Sequence, residues 1–238
     1  MKEYKSTGGV YVEGYYKSNI TPRRMSTNDS FEKNGYLFLP ELISDPQNLK
    51  VPVPQERGKL SYLNNKLEQV HYDEETQVIG SLARYNIPIY KELHFLVKKE
   101  IEKILGMDLY PTYFYDRFYF VGQNLERHYD RSACEISVTL QISSNHPDDP
   151  WPIWFERPDG TESCVLMNDG DAAVYKGCER DHWRDPLPSR YNRRQNLWRK
   201  IRNLPDDTYH HQIFLHYVDA NGPFLQHAYD KGCNLIIS

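Results

Sequence analysis

The sequence predicts a mainly β protein with flanking helices, organised as a jelly roll in which two sheets pack together. After Gly106, the chain contains seven short runs that are rich in β-branched and aromatic residues. Turn-forming segments such as 158–160 (Pro-Asp-Gly) and 168–170 (Asn-Asp-Gly) separate several of these runs. Many short strands with turns between them are typical of double-sheet jelly rolls. The predicted strands are 110–121, 135–142, 153–156, 164–167, 172–176, 210–218 and 234–237.

The first 85 residues carry weaker signals. Residues 1–35 are polar and rich in turn formers, so we expect a loosely ordered lead-in. The apolar run 35–40 predicts a strand or a buried segment, and residues 62–70 carry a weak helix signal. We therefore predict an N-terminal extension over 1–85 that packs on a core domain formed by 86–238.

Two helices are predicted within the core domain. Residues 88–105 form the clearer one, because its apolar residues recur at steps of three and four and Gly106 suits the position just after a helix. Residues 189–204 are polar and strongly basic, and they predict a helical insertion between two strands. A solvated helix face is the simplest interpretation of this insertion. A lid that recruits an anionic substrate and a nucleic-acid contact are the alternatives.

Composition limits the classes of partner. The chain has 29 Lys and Arg against 33 Asp and Glu, a net charge of −4, so no overall positive field would hold nucleic acid or an anionic membrane. No apolar run is long enough to span a bilayer, and the start lacks the apolar core of a signal peptide. The cysteines form no C-x-x-C pair, which disfavours a cysteine-rich zinc site or a disulfide scaffold. These features predict a soluble, cytoplasmic protein.

Two histidines and one aspartate are candidates for a metal site. His128 and Asp130 stand two residues apart, so on an extended segment their side chains point to the same face. His182 follows the predicted strand 172–176 and is placed to supply a third ligand. Two imidazoles and one carboxylate leave open positions on a metal, which suits non-haem Fe(II) oxygen chemistry.

The same tripeptide, His-Tyr-Asp, occurs a second time at His71 and Asp73. That copy lies between a helix-like stretch and an acidic segment, whereas the copy at His128 is flanked by predicted strands. We therefore interpret His71 and Asp73 as surface polar residues.

The metal motif and its surroundings resemble the Fe(II)/2-oxoglutarate-dependent dioxygenases, most closely the prolyl-4-hydroxylase-like branch. The resemblance covers roughly residues 107–230 and implies a double-stranded β-helix core, the cupin-like form of a jelly roll. It rests on Arg117-x-Tyr119-x-x-Gly122-x-x-Leu125-x-x-His128-x-Asp130, on Cys134-Glu-Ile-Ser137 and on Glu179-x-x-His182-Trp-Arg184.

Carried over to this chain, the resemblance implies that His128, Asp130 and His182 bind Fe(II). It also implies 2-oxoglutarate and O₂ as co-substrates, with Tyr119 donating a hydrogen bond to 2-oxoglutarate. The family's usual Lys or Arg for the distal carboxylate of 2-oxoglutarate has no clear counterpart here. Arg184 is the first candidate, because Arg matches a carboxylate with two parallel hydrogen bonds. The other candidates, in order, are His210 and Gln212, and then Arg193.

The resemblance implies a hydroxylase that acts on a small molecule or a peptide side chain and releases succinate and CO₂. Two alternatives remain open: a nucleic-acid demethylase of the same superfamily, and a catalytically silent jelly-roll module that binds a sugar or peptide. We expect no membrane partner and regard nucleic acid as the weaker partner class. The substrate and the oligomeric state are left open by the sequence.

Overall fold

The computed structural model describes residues 11–13, 27–53, 61–63, 66–70, 73–74 and 77–230. Two sheets of seven and five strands form the body of the molecule, and a separate hairpin has two strands. The helices are α1 (Thr27–Asn34), α2 (Lys91–Leu105) and α3 (Arg193–Ile201). The strands are β1 (Tyr11–Glu13), β2 (Tyr36–Leu39), β3 (Ser61–Leu63), β4 (Lys66–Val70), β5 (Asp73–Glu74), β6 (Leu82–Tyr85), β7 (Leu109–Phe120), β8 (Leu125–His128), β9 (Ile136–Ser144), β10 (Ile153–Glu156), β11 (Glu162–Val165), β12 (Ala172–Tyr175), β13 (His182–Arg184) and β14 (Tyr209–Asp219).

The larger sheet has the order β2-β12-β9-β14-β7-β6-β5, and the smaller has the order β1-β11-β10-β13-β8. Side chains from the two sheets meet in shared apolar clusters, for example Tyr36 and Tyr175 with Ile153 and Phe155. The sheets therefore pack face to face, and the predicted double-stranded β-helix is confirmed.

The two faces of the larger sheet differ in chemistry. On β14, Ile213, Leu215 and Tyr217 join the apolar cluster that includes helix α2. The alternate residues of β14 include His210, Gln212 and His216, which are buried on the face toward the barrel interior. The barrel interior is therefore polar enough to hold a site, while the aliphatic core lies between the sheet and the helix.

Helix α2 agrees with its prediction. Gly106 ends it in the left-handed conformation (φ 67°), and its amide donates to the carbonyl of Glu102. Leu93, Val97 and Ile101 are buried on the face that contacts the larger sheet. None of the described helices is long and apolar enough to cross a membrane.

The predictions for the first 85 residues need correction. The described residues within 62–70 form strands and not a helix, because β3 and β4 pair antiparallel with Ser61 opposite Val70. Cross-strand pairing overrides a weak local helix preference there. The lead-in expected over 1–35 contains β1 and α1 in its described parts. β2 and β6 pair with β12 and β7, so described parts of the predicted extension are strands of the larger sheet. The predicted strand at 234–237 lies outside the described residues.

Candidate metal centre

His128, Asp130 and His182 converge at one end of the barrel. His128 ends β8 and His182 begins β13, and these two residues face each other in the antiparallel register of the two strands. The Oδ1 atom of Asp130 lies 3.5 Å from Nε2 of His128 and 3.7 Å from Nε2 of His182. The ligand atoms of all three residues lie within 4.8 Å of one another, which is a suitable arrangement for one metal ion.

Backbone hydrogen bonds orient both imidazoles. Nδ1 of His128 donates to the carbonyl of Glu126 at 2.7 Å, and Nδ1 of His182 donates to the carbonyl of Arg180 at 3.1 Å. Each bond fixes the orientation of its ring, so that Nε2 faces Asp130. Metal-binding histidines are commonly fixed in this way.

Charge at the three residues also suits a cation. Burial opposes ionisation of Asp130, but attraction to His182 and a hydrogen bond with His128 outweigh it and hold the pKa of Asp130 at about 2. Burial lowers the pKa of His182. For His128, burial is outweighed by the hydrogen bonds to Asp130 and Glu126, so its pKa is raised. An ionised carboxylate between two imidazoles is a donor set for a divalent metal.

Asp130 is held in place by the loop that contains Gly177 and by strand β9. Its backbone amide donates to the carbonyl of Gly177 at 2.8 Å, and the Ser137 hydroxyl donates to its Oδ2 at 3.3 Å. A Cβ atom at Gly177 would lie 2.5 Å from Ser137 Oγ and 2.7 Å from Asp130 Oδ2. Position 177 therefore has no room for a side chain while Asp130 keeps its place.

A second cluster shares Asp130. The ligand atoms of Cys134 and His216 also lie within 4.8 Å of each other and of the Asp130 carboxylate. However, burial raises the pKa of the Cys134 thiol, and its sulfur lies 3.2 Å from the hydroxyl of Tyr113. A protonated thiol is a poor metal ligand, so the set with His128 and His182 is the better site.

Gln77 contacts the centre, and the sequence analysis did not identify it. Its side-chain amide nitrogen lies 2.7 Å from Nε2 of His128, and its oxygen accepts a hydrogen bond of 3.0 Å from Arg117. Arg117 in turn donates to the hydroxyl of Tyr119 at 3.1 Å. Gln77 and a metal ion would compete for the same nitrogen of His128. No motif in the sequence marks Gln77, because it is 51 residues from His128.

Arg184 is a buried cation in the barrel interior. Its side chain is 1% exposed, Nη1 donates to the carbonyl of Trp151 at 2.7 Å, and the guanidinium lies 4.6 Å from the Trp151 ring centroid. Its Nε and Nη2 atoms have no hydrogen-bond partner among the described residues. Burial lowers the pKa of Arg184 to about 10, so it stays charged at neutral pH.

His210 and Gln212 lie in the same interior. Both ring nitrogens of His210 and both amide atoms of Gln212 are buried without a hydrogen-bond partner among the described residues. His210 pairs in register with Tyr119, and its ring centroid is 5.2 Å from that of Trp151. Burial and the charge of Arg184 lower the pKa of His210, so it is neutral. Buried polar atoms normally have partners, so this set fits an anionic ligand with hydrogen-bonding oxygens.

The remaining candidates lie elsewhere. Arg193, the last candidate for the carboxylate, is exposed at the first residue of α3. His71 lies outside the described residues, and Asp73 is in β5.

Several solved structures share this architecture. An oxidoreductase of the 2OG-Fe(II) oxygenase family from Burkholderia pseudomallei superposes with a TM-score of 0.56 at 10% identity, covering 90% of this chain and 97% of that one. HygX from Streptomyces hygroscopicus, with nickel and 2-oxoglutarate bound, gives 0.56 at 9% identity, covering 84% and 89%. A prolyl hydroxylase from Trichoplax adhaerens gives 0.51 at 14% identity, covering 82% and 88%.

This chain has the fold of the 2-oxoglutarate- and Fe(II)-dependent oxygenases. No protein-family profile and no curated protein matches the sequence. At these identities the likeness establishes the oxygenase fold, and the chemistry rests on the residues of this chain.

Proposed function

We propose that the protein is an Fe(II)- and 2-oxoglutarate-dependent dioxygenase that hydroxylates an unactivated C–H bond and releases succinate and CO₂. The observation that carries the proposal is the pairing of two sites in one barrel. His128, Asp130 and His182 offer three metal ligands. The buried guanidinium of Arg184 has unpartnered nitrogens for a carboxylate.

In this proposal His128, Asp130 and His182 hold Fe(II), while their Nδ1 hydrogen bonds and the contacts of Asp130 keep the ligands oriented. Iron with bound 2-oxoglutarate would supply the oxygen activation. The protein itself binds, orients and excludes water, and the buried ring of Trp151 covers Arg184 on one side.

The 2-oxoglutarate pocket is assigned to four residues. Arg184 would bind the distal carboxylate through its free nitrogens, since Arg pairs with carboxylates through two parallel bonds. Tyr119 would donate a hydrogen bond to the same co-substrate, and His210 and Gln212 would complete its polar lining. These roles give partners to the buried atoms that have none among the described residues.

For the substrate we propose a small molecule or a peptide side chain. Among structures with this fold, the Trichoplax adhaerens prolyl hydroxylase is in complex with a peptide fragment of hypoxia inducible factor, and HygX has been solved with hygromycin B. The basic helix α3, on which nucleic-acid binding would depend, follows Leu187, which bonds to the turn between β7 and β8, at the end of β8 away from His128. A cytoplasmic location is part of the proposal.

The metal assignment is tested by binding under anaerobic conditions. We expect Fe(II) and 2-oxoglutarate to give the wild-type protein a weak visible charge-transfer band, and the variants Asp130→Ala and His182→Ala to lose it. His71→Ala is the matched control, because it alters the other copy of the tripeptide, and it should retain the band. Loss of the band in His71→Ala, or its persistence in Asp130→Ala, would contradict the assignment.

The carboxylate assignment is tested by titrating the anaerobic iron protein with 2-oxoglutarate. Because a hydrogen bond to a charged group contributes about 1.5–3 kcal/mol, Arg184→Gln should weaken 2-oxoglutarate binding by roughly ten- to a hundredfold without loss of Fe(II) binding. Arg184→Lys keeps the positive charge but cannot form two parallel hydrogen bonds to a carboxylate, so it should weaken 2-oxoglutarate binding less than Arg184→Gln does. Arg193→Gln, at an exposed position, should behave like the wild type. Equal affinity in wild type and Arg184→Gln would exclude Arg184 as the anchor.

A further inference from the structure

Helix α3 exposes its apolar side to solvent. Leu197 is 62% exposed, Trp198 is 49% exposed and Ile201 is 75% exposed, and no residue of the helix is buried. With about 100° between successive residues, these three side chains project from one contiguous side of the helix. A helix on the surface of a globular protein normally directs such a side toward the core, so this orientation is reversed.

The opposite side of α3 is polar, and it attaches the helix to the molecule. The amide of Asn196 donates to the Ser189 hydroxyl and to the Tyr191 carbonyl, both at 3.0 Å. The Arg199 guanidinium lies 4.1 Å from the Tyr191 ring centroid and donates to the Pro205 carbonyl. Asn192 caps the first turn through the amides of Arg194 and Gln195. The reversed orientation is therefore specified by a set of polar contacts.

The exposed apolar side is surrounded by positive charge. Residues 186–205 contain no Asp or Glu, although the whole chain carries −4. The guanidinium of Arg202 lies 4.4 Å from the ring centroid of Trp198, at the edge of the apolar side. The cations of α3 and its last turn are Arg193, Arg194, Arg199, Lys200 and Arg202, whereas Arg190 is paired with Asp207 at 3.2 Å. The net charge of the chain hides this local concentration.

The insertion lies at the end of the barrel opposite the metal centre. Leu187 exchanges backbone hydrogen bonds with Gly122 and Gln123, in the turn between β7 and β8. His128 and Asp130 lie at the other end of β8. A partner bound to α3 would therefore lie at the end of the barrel away from His128 and Asp130.

We propose that α3 docks the protein on the surface of an anionic lipid bilayer, which revises the expectation of no membrane partner that the net charge of the whole chain gave. Apolar and Trp side chains on one side of a helix, edged by Arg and Lys, fit the boundary between lipid headgroups and acyl chains. A projecting helix meets a flat bilayer without needing a groove. This inference does not depend on the proposed catalytic function.

Two other occupants fit the observations less well. A second copy of the chain, docked α3 against α3, would bring the two sets of cations together, and like charges repel. Nucleic acid would satisfy the cations but would place Leu197 and Ile201 against phosphates, with no apolar partner. Of these three occupants, the bilayer surface is the one that provides anionic and apolar contacts together.

The test uses the full chain and phosphatidylcholine vesicles with or without about one third phosphatidylserine. We expect co-sedimentation only with the anionic vesicles, together with a blue shift of tryptophan fluorescence. The shift should disappear in Trp198→Phe while binding remains, since Trp151 and Trp154 are buried. The half-buried Trp183 is stacked on Trp154 in the smaller sheet, with ring centroids 6.1 Å apart. Arg194→Gln with Lys200→Gln should weaken binding by roughly fivefold per cation removed.

The apolar contribution is tested by Leu197→Ser with Ile201→Ser, which should reduce binding to anionic vesicles at least as strongly. The matched control is Leu96→Ser with Lys99→Gln on α2, where Leu96 is 53% exposed, and it should bind like the wild type. Circular dichroism should show that all variants remain folded.

Several results would overturn the proposal. They are no co-sedimentation with anionic vesicles, equal binding by the Leu197/Ile201 variant, or a fluorescence shift that persists without Trp198. Self-association that the Leu197/Ile201 variant abolishes, without vesicle binding, would assign the surface to a second copy. Tight binding of duplex DNA without vesicle binding would assign it to nucleic acid.

Discussion

Asp130 shows how much of a candidate metal site is set by residues that are not ligands. Its carboxylate is held between two imidazoles, its amide is bonded to the carbonyl of Gly177, and its Oδ2 accepts from Ser137. The close approach of the Cys134 carbonyl, the Ser137 hydroxyl and the Asp130 carboxylate leaves no space at Gly177. A change of one methyl group at this position is therefore a direct test of the site's geometry.

We predict that Gly177→Ala weakens metal binding and lowers the free energy of unfolding by about 1–3 kcal/mol, because the new Cβ overpacks the space beside Asp130. Isothermal titration with Fe(II) or a substitute divalent metal measures the first effect, and urea denaturation measures the second.

Gly106→Ala is the control, because it replaces a glycine by alanine at a position away from the metal ligands. Gly106 has a positive φ of 67° and open space around it, so the substitution should cost about 1 kcal/mol of stability and leave metal affinity unchanged. Equal metal affinity in the wild type and Gly177→Ala would show that position 177 does not constrain Asp130.

Among the secondary-structure elements, β14 and α2 show that the two faces of the larger sheet differ in role. One face carries polar side chains into the barrel interior, and the other packs against α2. β14 pairs with β7 and β9 along almost its whole length. Its alternate residues face the barrel interior and the helix, and a slip of one residue would exchange the two faces. The apolar contacts of α2 fix that register and so position His210 and Gln212 indirectly.

We predict that Ile101→Ala, which removes a fully buried side chain of α2, lowers the free energy of unfolding by about 2–5 kcal/mol through lost burial and a cavity. Leu96→Ala on the exposed side of the same helix should change it by no more than about 0.5 kcal/mol. Urea denaturation of both variants measures the difference. Similar values for the two would mean that α2 does not stabilise the sheet.

At the scale of the whole molecule, buried histidines make stability depend on pH. Burial lowers the pKa values of His94, His182, His210 and His211 in the folded protein. The unfolded chain, with ordinary histidine pKa values near 6.5, therefore binds more protons as the pH falls below that value. Stability should be greatest at neutral pH and decrease in acid.

His94 provides the sharpest case, because burial lowers its pKa to about 3 while its Nε2 donates to the carbonyl of His216. We predict that this residue alone lowers the free energy of unfolding by about 2 kcal/mol as the pH falls from neutral to 5. The loss occurs between pH 6.5, where the unfolded histidine takes up its proton, and about pH 3, where the folded one does. Urea denaturation with a chelator present measures the dependence. His94→Gln keeps a donor and should give a shallower dependence on pH, and an unchanged slope would contradict the prediction.

Features that depend on local pattern could be predicted from the amino-acid sequence. Short runs rich in β-branched and aromatic residues predicted six strands that lie in the described part, and steps of three and four residues predicted α2 with its end at Gly106. The spacing of His128 and Asp130, with His182 beyond, also predicted the residues that the structure brings within ligand distance. Each of these signals is contained in a few neighbouring residues.

Features that depend on contacts between distant segments could not be predicted from local pattern, and they became visible only in the three-dimensional structure. The antiparallel pairing of β3 with β4 replaced the helix predicted over 62–70. Gln77 contacts His128, and Gly177 accepts a hydrogen bond from the amide of Asp130. Arg184 is buried without a carboxylate partner among the described residues. All three features arise because separate strands and loops converge. The outward apolar side of α3 also depends on which side its polar contacts attach to the molecule. Local pattern fixes which side chains share a face, whereas packing between remote segments fixes what that face meets.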